Sequence, residues 1–394
     1  MKNISGSPVV GNNFLNRDYE KKYCINRLKE SNSLSILGIR RTGKSSLLKE
    51  VARLIKQDNY FPIELDCQSY SKPSELFLGI LKQLPKDTLE KFTEQLKKLK
   101  SIPQKILDVL NVESIRGYGV DIKFDKKMRD YWIPISNSIE KIILSSDKKI
   151  ILFLDELPYF FENLLDQQNN ENFSETQVKQ ILATLRSWRN EGIQMAICGS
   201  LNINNFLESY SISRKLLAGL TSVEVKPFSD DEAKSLLENL AKSHNINWLD
   251  EKINNKILKL IQDNIPFFIQ YFFAFLMIEK KCSEEKLQEI FDLKIYPGLI
   301  KEFIYQFEER LGNYSEEVQK QADIILDYIA QKGSGSFTDI KNKSKARIEL
   351  KTFLKLNSDE FLKPDSGDKY SFSLNILKTW WIEKRGLKNL HAKE

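Results

Sequence analysis

Three features of the sequence predict an α/β fold built on a five-stranded parallel sheet. Short apolar runs alternate with helical patterns as far as residue 228. A glycine-containing loop, Gly38-Ile39-Arg40-Arg41-Thr42-Gly43-Lys44-Ser45, lies between one such run and one such helix. A second run, Lys149 to Leu154, ends in the acids Asp155 and Glu156. A run without polar alternation is how a central parallel strand reads when both of its faces are buried.

The elements follow in order. Ser33–Leu37 reads as the first strand and Ser46–Ile55 as an amphipathic helix. Phe61–Asp66 reads as a second strand, residues 74–110 as a lysine-rich helical stretch, and Gly117–Phe124 as a short exposed strand or hairpin arm. An amphipathic helix is predicted over 131–146. The runs at Lys149–Glu156, Gly192–Ser200 and Ser222–Lys226 complete five strands. After Pro227 only helical periodicity remains, which predicts a helical lid over 229–312. The last segment reads as a helix over 315–331, a break at Gly333–Ser336, two shorter helices, a β-like pair around Asp365–Lys369 and a terminal helix with Trp380 and Trp381. The predicted domains are 1–228, 229–312 and 313–394, with no internal repeat or low-complexity tract.

Bulk properties narrow the class. The chain has 394 residues and a net charge of +6, modest for its length and no argument for nucleic acid by itself. Its four cysteines, Cys24, Cys67, Cys198 and Cys282, form no C-x-x-C pair, and only His244 and His391 offer imidazoles. This excludes a zinc finger or ribbon, points to a reducing compartment, and reads each cysteine as a small, partly buried apolar residue. Met1–Gly11 is polar and predicts no secretory signal. The most apolar stretch, Pro266–Ile278, is shorter than the ~20 residues that span a bilayer. A cytoplasmic protein that does not enter membranes is expected.

The loop at 38–45 fits G-x-x-x-x-G-K-[ST] at every fixed position. Between a strand and a helix N-terminus such a loop turns its backbone N–H groups onto a phosphate, with the helix dipole behind them. Gly38, Arg40, Arg41, Thr42, Gly43, Lys44, Ser45 and Ser46 are therefore candidate phosphate-binding residues. Gly43 permits close backbone approach, Lys44 reaches toward the β- and γ-phosphates, and Ser45 holds magnesium. Asp155, 110 residues after Ser45 at the end of a buried strand, is the second candidate magnesium residue, and Glu156 the group that orients the attacking water. Ser200, ending the next strand, is placed to contact the γ-phosphate or that water. A strand-end cap explains it equally well.

These residues resemble the archaeal-type AAA/STAND-related P-loop ATPases, relatives of the Orc/Cdc6 initiators. Phe14-Leu15-Asn16-Arg17-Asp18-Tyr19-Glu20 is similar to that family's F-x-x-R-x-x-E segment, which implies that Phe14 and Arg17 lie near an adenine. The loop at 38–45, the pair at 155–156 and Gly199-Ser200 resemble its Walker A, Walker B and sensor 1 elements. Lys215–Leu220 followed by Val223–Ser229 is similar to its "L-x-G-R … L-x-P-[LF]-[ST]" segment, and Asn264-Ile265-Pro266 to the G-x-P turn of its lid, which implicates Pro266 at the nucleotide. The resemblance covers essentially the whole chain and implies an ASCE/AAA-like P-loop NTPase core, a helical lid and a C-terminal winged-helix domain, with ATP and Mg2+ as cofactors. Leu220 stands where the family usually has Arg; Arg214, Arg186 and Arg189 are the candidate replacements.

Residues 331–394 hold 14 Lys and Arg against 8 Asp and Glu, an excess equal to the charge of the whole chain. Lys341, Lys343, Lys345 and Arg347 cluster where a recognition helix would approach DNA, and Asp365–Lys369 reads as a wing tip. Winged helices also contact proteins, so double-stranded DNA and a protein partner both stay open, as does oligomerisation. The leading expectation is a magnesium-dependent ATPase switch, in a DNA transaction, a mobile element or antiphage defence. The alternative is a non-hydrolysing, nucleotide-stabilised scaffold, against which Glu156 argues. A metabolic P-loop kinase fits poorly, because no acceptor site is visible.

Overall fold

The computed structural model describes residues 1–97, 132–166, 175–344 and 347–387. The chain divides into two compact units, Pro8–Val225 and Lys226–Glu394 together with Met1–Ser7.

In the first unit the strands Ser33–Leu37 (β1), Tyr60–Asp66 (β2), Lys149–Asp155 (β3), Gln194–Cys198 (β4) and Leu220–Glu224 (β5) form one sheet in the order β2-β3-β4-β1-β5. Every pairing is parallel. All of β3 but Lys149 is buried, because its alternate residues serve two cores. Ile151 and Phe153 meet Leu47, Leu48 and Val51 of the helix Lys44–Ile55. Ile150, Leu152 and Leu154 join Phe77, Trp132 and Trp188 on the other face. Both faces being apolar, the strand shows no alternation in sequence.

Differences from expectation have local causes. The helical stretch beginning near residue 74 is two helices, Pro73–Gln83 and Lys86–Lys97. Leu84 between them is extended at ψ 146°, as the residue before a proline must be. Residues 98–110 of that stretch and the expected strand Gly117–Phe124 lie outside the described residues. β5 starts earlier than expected, with Leu220 opposite Ser33 of β1.

The second unit opens with three helices. Asp230–Ser243 begins at a capping box of Ser229 and Glu232, Glu251–Ile261 at the Asp250 cap, and Pro266–Leu276 with a proline in its first turn. The last is the apolar stretch noted in the sequence. It buries Phe267, Phe268, Phe272 and Phe273, and no described helix is long and apolar enough to cross a membrane. A continuous helical run follows from Glu284 to Gly312, with π turns at Phe291–Ile295 and Ile300–Ile304 on either side of Pro297, which has no N–H to give to the helix.

The helix Glu316–Lys332 leads to a short strand, Ser334–Ser336 (β6), and then to helices Phe337–Lys343 and Leu350–Ser358. A hairpin of Leu362–Pro364 (β7) and Lys369–Phe372 (β8) precedes the terminal helix Asn375–Arg385. β6 and β7 both pair antiparallel with β8.

The terminal helix fastens this unit together. Asp263, between two of the first three helices, accepts from Asn375 N (3.0 Å), Asn375 Nδ2 (3.2 Å) and Ile376 N (2.9 Å), capping its start. Tyr296 Oη donates to Glu383 (2.7 Å), and Lys384 pairs with Glu308. On the opposite side Trp381 Nε1 donates to Asp327 (2.9 Å), while Arg385 bridges Asp323 and Asp327 at 3.0 Å each. A line of edge-on and tilted rings, Phe268–Phe303–Phe307–Phe361, runs through the same body at centroid spacings of 4.9, 5.6 and 5.3 Å.

Candidate functional site

The carboxyl ends of β1, β3 and β4 carry the candidate chemistry. β1 delivers the loop 38–45. Gly38 has φ +147°, and a Cβ on it would lie 2.3 Å from the carbonyl oxygen of Val225, so only glycine fits between loop and sheet. The turn is pinned by Thr42, whose hydroxyl donates to Ile39 O (2.7 Å). Lys44, 6% exposed, donates its ammonium to Gly38 O (2.7 Å) and Ile39 O (3.0 Å) and so lies across the mouth of its own loop. Arg40 and Arg41 are half-buried, and Arg41 sits at φ +70°, a backbone conformation that costs a non-glycine residue about 1–2 kcal/mol.

β3 ends at Asp155, which is 8% exposed. Its Oδ1 accepts from Ser45 Oγ (3.1 Å), Glu156 N (3.1 Å) and Cys198 Sγ (2.9 Å). At Glu156 the backbone enters the left-handed region, φ +54°, and the chain turns out of the strand. Glu156 Oε2 then takes both donors of Ser200, N at 2.7 Å and Oγ at 2.9 Å. Lys44, Ser45, Asp155, Glu156 and Ser200, expected at one site, are thus together. Burial above all, then the charge of Asp155, pushes the Cys198 thiol well above its ordinary range, so it stays protonated and donates.

The donor set suits magnesium. A serine hydroxyl and a carboxylate are hard oxygen ligands, already within hydrogen-bond reach of each other. Among the described residues no group of three or more His, Cys, Asp or Glu side chains gathers as a metal cage. Magnesium itself takes one or two protein oxygens and fills its shell from phosphate and water.

Other expected residues take different places. Arg17, 6% exposed, donates to Thr42 O (3.3 Å) and pairs with Glu20 (3.1 Å), bracing the phosphate loop from behind. Phe14 packs beside the core shared by β1 and the helix Lys44–Ile55. The Ser46 hydroxyl accepts from Val9 N (3.1 Å). Glu50, 3% exposed and missed in the sequence, accepts from Gly11 N (2.8 Å) and holds the same N-terminal stretch. Pro266 opens a helix of the other unit.

Two of the three candidate arginines have protein partners. Arg189 donates to Leu216 O (2.9 Å) and Ala218 O (3.2 Å), and burial, then the charge of Arg186, pushes its guanidinium down to about 10. Arg214 pairs with Glu208, and Arg186 is half-buried on the helix Glu175–Asn190. Leu220, at the place of the family Arg, packs against the larger apolar cluster.

In the C-terminal part the basic cluster is split. Lys341 and Lys343 lie on the helix Phe337–Lys343, before the longer Leu350–Ser358, each with its ammonium over a ring, Phe337 at 5.8 Å and Tyr328 at 5.5 Å. Arg347 bridges to Glu349 (3.6 Å), and Lys345 lies outside the described residues.

No protein-family model and no curated protein matches the chain. Solved structures do. A Walker-type ATPase of Pyrococcus abyssi superposes with a TM-score of 0.61 at 18% identity, over 95% of this chain and 98% of that one. The ORC2 protein of Aeropyrum pernix superposes with a TM-score of 0.51 at 11% identity, over 96% and 98%. At these identities the likeness speaks for fold. With the P-loop, the paired acids and the strand order β2-β3-β4-β1-β5 in place, the chain has the fold of the Orc/Cdc6-like P-loop ATPases.

Proposed function

We propose that this protein is a magnesium-dependent ATP-hydrolysing switch whose nucleotide state is read out through its C-terminal module, which we take to be a winged helix. One observation carries the reading: Ser45 and Asp155 meet at 3.1 Å with Lys44 and Glu156 beside them, at the carboxyl ends of β1 and β3, the parallel strands on either side of β4. Ligands of open α/β sheets bind at such strand ends. The ORC2 relative in fold was solved with ADPNP and ADP, which supports an adenine nucleotide here.

The residues divide the work. Lys44 exchanges the carbonyls of Gly38 and Ile39 for phosphate oxygens, and the loop's N–H groups supply the remaining donors. Magnesium, held by Ser45 and Asp155, would neutralise phosphate charge. Glu156 orients and polarises water. Its present bonds to Ser200 tie it to the end of β4, so a γ-phosphate that draws Ser200 away would free the carboxylate for water.

Steady-state hydrolysis by the wild type and Glu156→Gln, with and without double-stranded DNA, tests this. The variant should retain ATP and turn over at least about a hundredfold more slowly. Equal rates would remove Glu156 from the chemistry. Stimulation of the wild type by DNA would make DNA the partner.

A specific observation favours a protein partner instead. On and beside the helix Leu350–Ser358 the cations meet acids, Lys351 with Glu349 (2.8 Å) and Lys355 with Asp359 (3.5 Å), while Leu350 is 51% exposed. The hairpin adds Lys363 and Lys369 but also Asp365 and Asp368. This face offers phosphates little net charge. Turnover indifferent to DNA would support that second reading.

A further inference from the structure

The end of β4 holds the two acids with two different residues. Cys198 donates to Asp155 and, two positions on, Ser200 donates to Glu156. Gly199 between them lets the strand end lie against the turn that follows Glu156, since a Cβ there would be 2.6 Å from Pro158 Cδ. The Cys198 thiol is 3% exposed, so no water competes for its proton. Asp155 Oδ1 already receives three donors, more than the about two lone pairs it carries, whereas Oδ2 receives none among the described residues.

We infer that Cys198 is a positioning residue for the metal-holding acid: its thiol pins Asp155 Oδ1, which leaves Oδ2 as the oxygen presented to magnesium. Ser45 can give a lone pair to the ion and still keep its proton on Asp155 Oδ1. Cys198 and Glu156 N also keep the carboxylate in place, as partners outside a metal's own ligands commonly do. Cys198 thus serves the metal side of the strand end and Ser200 the water side, and the two functions are separable by substitution.

The inference rests on the Mg-ATP reading of the site, and the test separates the two. A fluorescent ATP analogue is titrated onto the full chain in EDTA and at rising Mg2+, for wild type, Cys198→Ala, Cys198→Ser and Ser200→Ala. For Cys198→Ala the Mg2+ midpoint of the affinity gain should rise about tenfold, with EDTA affinity equal to wild type, which also shows that the variant is folded. Cys198→Ser, which restores a donor on the same carbon, should return the midpoint to the wild-type value. Ser200→Ala should keep the wild-type midpoint; a midpoint raised as in Cys198→Ala would overturn the separation of the two roles. An unmoved midpoint in Cys198→Ala, or no rescue by serine, overturns the positioning role while nucleotide binding stands. A wild type that binds no analogue in either condition overturns the site reading itself.

Discussion

Lys44 shows how much one side chain does at the residue scale. It is buried, it closes the phosphate loop through two carbonyls, and it is the loop's own ammonium. Lys44→Ala should weaken ATP binding by at least about a hundredfold, the loss expected of a charge-assisted contact worth ~3 kcal/mol; calorimetric titration with ATP reads this directly, and unchanged affinity would reject the loop assignment. Residues of this kind were legible because the motif is contiguous and its neighbours are a strand and a helix. Asp155 and Glu156 were legible because an apolar run points at them. Cys198 was not, since its partner lies 43 positions away and a single cysteine in an apolar strand looks like any small core residue. Arg17 was placed near the adenine by resemblance alone, and its bond to the loop carbonyl of Thr42 depends on a contact across 25 positions that no local pattern carries.

Among the described elements, the terminal helix depends on a distant residue for its cap. Its first N–H groups have no partner within the helix, and Asp263 satisfies two of them together with the Asn375 side chain. Asp263→Ala should lower the stability of this unit by about 1–2 kcal/mol, the usual worth of a helix cap. Amide exchange at Asn375 and Ile376 should accelerate most, while exchange in β1 and β3 stays as in the wild type; uniform acceleration would mean that Asp263 supports more than this cap. The existence of the helix was readable from its apolar spacing and its tryptophans, and its cap was not. The basic cluster teaches the converse. Lys341, Lys343 and Arg347 look contiguous in sequence, yet the first two lie on one short helix and the third in the stretch that leads to the next.

For the whole molecule, what matters is that the helices over 229–312 and the C-terminal module are one unit. Phe361 closes the ring line that starts at Phe268, and Glu383 and Lys384 hold Tyr296 and Glu308. A chain truncated after Gly312 should therefore show faster amide exchange throughout 251–312 and unchanged exchange in the sheet of the first unit; full protection of 251–312 would show a lid that stands by itself. Helical periodicity could place these segments but not tell that they share a core, because shared burial is a property of pairs of elements.

The placement of residues 1–7 has a consequence for how the protein is born. Asn3 donates its side-chain amide to Gln270 O, so residues 1–7 belong with helices made much later. Domains tend to fold during synthesis in the order they emerge. The sheet of Pro8–Val225 can close as soon as β5 is out, but Met1–Ser7, which belong to the other unit, must wait until the helix Pro266–Leu276 exists, and that unit must wait further for Asn375 and Ile376. Residues 1–7 thus find their place only after a segment 267 positions further along has been made.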